Sequence, residues 1–455
     1  LAERFVTNGV VSEPLWGQLK ALTADPAVRV RYQVAFTLGE LRHVGRTVAL
    51  TGVLARNLTN GWVQTAVVSA LSEGAGEFFL LLASDNGFRR DEVGQEFLRQ
   101  LALMIGTKGR LDEVSQVLDY IGRAPLEPAQ VFGWLFAAGD GLQRTRSSLG
   151  LVDPQGRLQP LYLRALDAAM NEATPEAARV AAIQLLGLSP FTFSDTGDWL
   201  PLMCNAGASA RLQAAAIGTL SRYSDPRVVP ELLARWSGLT PTLRQQALAG
   251  LLQRSERVPE VLAAVERGRI SPADFGPAQL NLLRTYPDPA ISARAVHLFG
   301  AVPRQRPEAV QRWKPALRLK GMTERGREVF LNRCAECHRF GGEGQALGPD
   351  LTGARIHGKE KLLAAILEPK AGMSPQYAAC LLQTKEGESL LGIPSEANAA
   401  AITLRQPKGV QIVWPRLNVQ FLQPQPWSLM PENLEQGLAP QDMADLLDYL
   451  MTGPR

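Results

Sequence analysis

Residues 323–351 read TERGREVFLNRCAECHRFGGEGQALGPDL, and a helix, a cysteine and histidine motif and a loop can be read from them in turn. Thr323 is placed to cap a helix that runs into the motif, and the four glycines of GGEGQALGPDL predict the loop after it. Cys334, Ala335, Glu336, Cys337 and His338 form C-X-X-C-H, the attachment signature of c-type haem. Two thiols separated by two residues can each add to one vinyl group on the porphyrin edge. The histidine directly after the second thiol then lies under the iron as proximal ligand.

Two other chemistries use a C-X-X-C pair. Cys334, Cys337, His357 and Cys380 can be counted as four zinc ligands, although the second pair lacks the close spacing of structural zinc sites. A thioredoxin-like redox pair would need a preceding strand and a surrounding βαβ unit, and the sequence predicts neither. The remaining cysteine, Cys204, lies in a helical stretch. Cys204 and Cys380 read as buried thiols that pack like small apolar side chains.

Outward from the motif, a helix is predicted near Lys359 to Leu367, stopping before Pro369. The segments LLQTKEGESLLGI, AAITLRQPKGV and VQIVWPRLNVQFL read as short strands with turns at EGE and PKG. From Pro440 to Met451, Met443, Leu446, Leu447 and Leu450 share one helix face, with Pro440 suited to the first turn and Gly453 to the stop. Helices thus bracket a small β insertion at about 378–424.

Before Pro315 the chain reads differently. From Glu13 to about Arg312, apolar positions three and four apart are separated by turns rich in Pro, Asp and Gly, with no convincing strand. DPAVRVRYQVAFTLGEL from Asp25, NGWVQTAVVSALSEG from Asn60, TPEAARVAAIQLLGL from Thr174, ASARLQAAAIGTLSRYSDP from Ala208, TPTLRQQALAGLLQR from Thr240 and DPAISARAVHLFG from Asp288 resemble one another. Thr174 to Thr240 spans two units of 33 residues. A helical hairpin cannot bury its apolar stripe alone, so such a period calls for stacking neighbours, and the pattern resembles HEAT repeats. A plain helical bundle shares the periodicity, and residues 89–156 fit no clear unit. The predicted fold class is mostly α: a HEAT-like α-solenoid over 1–319, then a cytochrome c domain over 320–455 that carries the β insertion.

Composition narrows the function. Apolar residues make up 45% and charged residues 20% of the 455, and no apolar run reaches the ~18 residues of a membrane span. The chain is therefore not expected to cross a membrane. Residues 1–319 carry 34 basic and 29 acidic side chains, and 320–455 carry 14 and 15, so no concentrated basic patch supports nucleic-acid binding. The start at Leu1, without a basic and apolar leader, reads as a processed product or fragment.

Residues 320–455 resemble the haem-binding cytochrome c domain of planctomycete and verrucomicrobial envelope proteins. The resemblance rests on GREVFLNRCAECHRFGGEGQALGPDLT, ILEPKAGMSPQY, TKEGESLLG and SLMPENLEQGLAPQDMADLLDYL, in that order. VRVRYQVAFTLGEL and LLRTYPDPAISARAVHLF resemble the region that precedes this domain in the same proteins. A β-propeller similar to sugar dehydrogenases often comes first there, and these residues contain none.

The resemblance implies one covalent haem c, electron transfer rather than bond-making catalysis, export to the periplasm or cell envelope, and a redox partner or adjoining dehydrogenase domain. It also implies that the Pro349 carbonyl accepts the Nδ1 hydrogen of His338, that the first and last helices cross at Gly326, and that Met430 of SLMP is the sixth iron ligand. His357 is the competing ligand; Met373 and Met443 read as packing residues. Arg355, Arg416 and Trp427 are candidates for bonding the haem propionates, each with a surface or packing role as the alternative. His43 and His297 read as surface or structural histidines. Two other functions stay open, a haem peroxidase or gas-binding protein with an open sixth position and a scaffold with a structural haem.

Overall fold

Each of the six related segments forms a helix: Val28–Gly39, Gly61–Ala70, Glu176–Leu186, Ala210–Arg222, Pro241–Leu252 and Pro289–Phe299. Their starts are set locally. The Asn60 side chain accepts from the Trp62 and Val63 N–H groups, Ser209 from Leu212, Thr240 from Leu243, and Asp288 from Ala290 and Ile291. Such a cap contributes about 1 kcal/mol, and Pro241 and Pro289 occupy a first turn where a missing N–H costs nothing. The structure is a computed structural model and describes residues 9–145, 147–205, 207–301, 307–369, 373–397 and 401–453. The chain is mostly α, with two compact units, Leu1–Trp199 and Leu200–Arg455.

In the first unit, the stretch that fits no repeat holds two helices of 17 residues each, Glu92–Lys108 and Pro128–Arg144, with Leu111–Arg123 between them. The long pair crosses at glycines. A Cβ on Gly106 would lie 2.0 Å from the Ala138 carbonyl oxygen, and one on Gly141 would lie 2.2 Å from that of Leu103. Their length and this glycine contact replace the short, Pro-initiated pattern, which is why the repeat is invisible there.

In the second unit the repeat period is written in hydrogen bonds. Gln246 Nε2 donates to the Ala214 carbonyl, Gln279 Nε2 to Gln245 and Arg254 Nη2 to Arg222, linking positions 32, 34 and 32 residues apart. Arg257 is buried among these helices and donates to the Ser221 and Tyr223 carbonyls; desolvation pushes its pKa down to about 10.

The sheet order after the repeats goes beyond the hairpins that the sequence predicts. A two-residue ladder, β1 (Arg339–Phe340) with β2 (Glu343–Gly344), follows the haem motif. Then β3 (Ala378–Thr384), β4 (Ser389–Ala397), β5 (Ala401–Arg405), β6 (Gln411–Pro415) and β7 (Val419–Ser428) form an antiparallel sheet in the order β6-β5-β4-β3-β7. β7 thus returns across the sheet to pair with β3, and the insertion extends to Ser428. Leu382, Leu390, Ile402, Leu404 and Trp414 form its buried face.

The turn between β3 and β4 is tied to the repeats: Ser255 N–H donates to the Gly387 carbonyl at 3.0 Å and Ser389 N–H to that of Gln253 at 2.7 Å. From the edge strand β7, Trp427 Nε1–H donates to Thr285 Oγ1 at 3.0 Å.

Helices Thr323–Arg333, Gly358–Leu367 and Pro440–Thr452 enclose one core of Phe330, Phe340, Leu363, Leu367, Met443 and Leu447. Val310, Trp313, Ala316 and Leu317 pack into the same core. The compact units divide at Trp199 and Leu200.

Candidate haem site

Helix Thr323–Arg333 delivers the motif and the motif extends it by one turn. Cys334 N–H and Ala335 N–H donate to the Phe330 carbonyl at 2.8 and 2.9 Å, and His338 N–H donates to that of Cys334 at 2.8 Å. The following loop then folds back over the turn. Gln345 N–H donates to the Ala335 carbonyl at 2.9 Å, and Leu347 and Gly348 N–H donate to that of Cys337 at 3.0 and 2.7 Å.

This return places the Pro349 carbonyl oxygen 2.8 Å from His338 Nδ1. A carbonyl only accepts, so Nδ1 carries the proton and Nε2 is the lone-pair nitrogen. Two of the loop's glycines make the fit possible. Gly344 has φ +84°, and a Cβ there would lie 2.1 Å from the His338 carbonyl oxygen. A Cβ on Gly348 would lie 2.6 Å from His338 Cε1.

Burial pushes the thiols of Cys334 and Cys337 up, to about 12 and about 11 respectively. Desolvation lowers the His338 pKa against the raising effect of the Pro349 bond, so the imidazole is neutral at neutral pH. A redox dithiol needs a depressed thiol pKa, and these are raised. Among the described residues, no three His, Cys, Asp or Glu side chains gather to hold a metal ion, which leaves the zinc reading without its ligand cluster. His357 is exposed and Cys380 is buried in β3. The donor set that remains fits haem c: two free, partly buried thiols at the required spacing and a neutral imidazole oriented through Nδ1.

A cytochrome c family model matches residues 323–379. No curated protein matches the chain. The matched segment contains the whole geometry above, from the helix that carries the motif through the Pro349 contact. It supports a haem-binding cytochrome c domain, whose cofactor is covalently attached haem c and whose chemistry is electron transfer.

The other predicted site residues scatter more widely. Trp427 is fully buried and its indole N–H donates to Thr285 Oγ1. Arg355 is exposed at the end of the 3-10 helix Leu351–His357, and Arg416 is exposed in the turn Arg416–Asn418. Met430 is half-buried just beyond β7, and its N–H donates to Ser428 Oγ at 3.1 Å. Met443 is fully buried in the helical core, while Met373 is half-buried.

Arg405 was not among the candidates, yet its Nη1 donates to the Ala346 carbonyl at 2.8 Å, within the loop that holds His338. On the strand AITLR its position alternates with buried Ile402 and Leu404. The sequence pattern therefore marks it only as a polar residue on the outer face.

Proposed function

We propose that this chain is a single-haem electron-transfer module with Cys334 and Cys337 as thioether sites, His338 as proximal ligand and Met430 as sixth ligand. It serves as the electron-accepting part of a larger dehydrogenase of the cell envelope, and the helical repeats offer a surface to the redox partner or adjoining domain. The observation that carries this reading is the 2.8 Å contact between His338 Nδ1 and the Pro349 carbonyl oxygen, because it leaves Nε2 as the coordinating nitrogen beside two suitably spaced thiols. The half-buried methionine fixed by Ser428 just before the last helix supports Met430. A propionate role for Arg355, Arg416 or Trp427 stays part of the proposal.

The test is mass spectrometry of the denatured protein produced in cells competent to mature c-type cytochromes. One haem per chain is expected, since thioether bonds survive unfolding where ligand bonds do not. An unmodified polypeptide mass refutes the reading. Attachment takes place on the outer side of the cytoplasmic membrane, so export belongs to the same proposal. Potentiometry should then show one reversible one-electron couple.

A further inference from the structure

The β insertion touches the haem loop at two points. Arg405, the last residue of β5, donates from Nη1 to the Ala346 carbonyl at 2.8 Å. In the turn that follows, Gly409 has φ +72°, and a Cβ there would lie 2.9 Å from Gln345 Oε1. The loop so gripped is the one whose Gly348 lies against the His338 ring and whose Pro349 orients it.

A second, independent observation concerns the same side chain. Arg405 Nε is buried and has no hydrogen-bond partner among the described residues. A buried guanidinium N–H without an acceptor is costly, and natural proteins seldom leave one so. An acceptor from outside the chain would satisfy it. At a haem loop the anionic acceptor is a propionate carboxylate of the cofactor, and guanidinium pairs with carboxylate through charge-assisted bonds.

We propose that Arg405 is a cofactor-binding residue supplied by the β insertion: Nη1 is anchored on Ala346 and the cation meets a haem propionate. This rests on the haem reading above. Its consequence is electrostatic. A fixed positive charge beside the porphyrin edge disfavours the ferric state relative to the ferrous and so raises the reduction potential.

The experiment compares the matured full-length chain with its Arg405→Gln and Arg405→Lys variants by redox titration, with mass spectrometry confirming haem in each. Gln removes the charge but still offers an amide N–H to Ala346; Lys keeps the charge. A lowered potential in Arg405→Gln with a near-parental potential in Arg405→Lys is expected. Parental potentials in both, or an equal shift in both, overturn the proposal, the latter by reducing Arg405 to a loop anchor. Absence of haem from the parent chain would instead defeat the haem reading itself.

Discussion

A Cβ on Gly326 would lie 2.0 Å from the carbonyl oxygen of Asp445 and 2.7 Å from Tyr449 Cβ, so the helix that carries the haem motif and the final helix cross backbone to backbone at this glycine. Asp445 fixes the same junction, accepting from Met322 N–H at 2.8 Å while Arg325 Nε lies 3.3 Å from its other oxygen. Any side chain at 326 forces the helices apart. An added side chain would gain about 1 kcal/mol of helix propensity over glycine, against overpacking of about 3 kcal/mol or more. Gly326→Leu in the full chain should therefore lower the melting temperature followed by haem absorbance. Far-UV circular dichroism should retain the signal of the helices in Leu1–Trp199. An unchanged haem-domain midpoint would show that the crossing tolerates expansion.

The second prediction concerns Gly348. A Cβ there would lie 2.6 Å from His338 Cε1, tighter than a van der Waals contact allows. Gly348→Ala must displace either the imidazole or the loop, and both lengthen the bond from Nδ1 to Pro349. Haem should stay covalently attached, because Cys334 and Cys337 are untouched, while the reduction potential shifts and the ligand-field bands broaden. An absorption spectrum and potential identical to the parent would count against the tight packing.

How much of this could be read beforehand depended on whether the information was local. The helix into Cys334, the glycine loop and the final helix with buried Met443 and Leu447 are each set by neighbours within a few residues, and the structure has them there, with Met322 rather than Thr323 at the first helix's N-cap. Pro349 was expected from the resemblance, and its carbonyl meets His338 Nδ1 from eleven residues on. The return of β7 to β3 was hidden, because strand order is decided by which faces bury together, not by turn residues. The pairing of Trp427 with Thr285 joins positions 142 apart, and a tryptophan near a haem motif gives no sign of which partner it takes. The same applies to Arg405 and Ala346, 59 apart.

Thr285 holds the outer edge of the sheet. Its hydroxyl accepts from Trp427 Nε1–H, and its own proton serves Gln425 Oε1 at 2.7 Å or the Asn281 carbonyl at 2.8 Å. Trp427 and Gln425 are both buried. Thr285→Val keeps the shape but strands the indole N–H and removes the donor to Gln425, which should cost about 2–4 kcal/mol in chemical denaturation. Thr285→Ser, which retains the hydroxyl, should stay close to the parent. A loss in Thr285→Ser without one in Thr285→Val would locate the effect in the methyl group's packing.

Acid should loosen the haem domain through two carboxylates held below their usual range. Burial works to raise the Asp448 pKa, but hydrogen bonds from Lys359 and from Gly321 N–H outweigh it and leave it lowered. The hydrogen bond from Arg327 lowers that of Glu343. A folded-state pKa below the unfolded value contributes stability that is present above the unfolded pKa. It is lost as pH falls through the folded one, so the loss belongs below about pH 4. Asp448→Asn should lower the neutral plateau of a melting-temperature profile and flatten its acid limb. A parental acid limb in this variant would assign the loss to other groups.

The sixth iron ligand is the sharpest test of the site. After the motif the candidates weighed are His357, Met373, Met430 and Met443; Met451, at the end of the final helix, packs against the helical core. Met443 is 0% exposed within the core that also holds Phe330 and Leu447, so its thioether is committed to packing. His357 ends a 3-10 helix on the surface, beside the 79% exposed Ile356, where solvent suits an imidazole. Met373 is half-buried ahead of the first long strand, whereas Met430 follows the last one, with its N–H fixed by Ser428. Thioether ligation opposite histidine raises the reduction potential, which suits an acceptor of electrons from a dehydrogenase. Met430→Ala should therefore lose the weak near-infrared charge-transfer band of sulfur-ligated ferric haem and lower the potential, with the haem still attached through both cysteines. His357→Ala should leave band and potential as they are. If both persist in Met430→Ala, the sulfur ligand is another methionine; if the parent protein lacks the band and its haem spectrum and potential change only in His357→Ala, the surface histidine is the ligand.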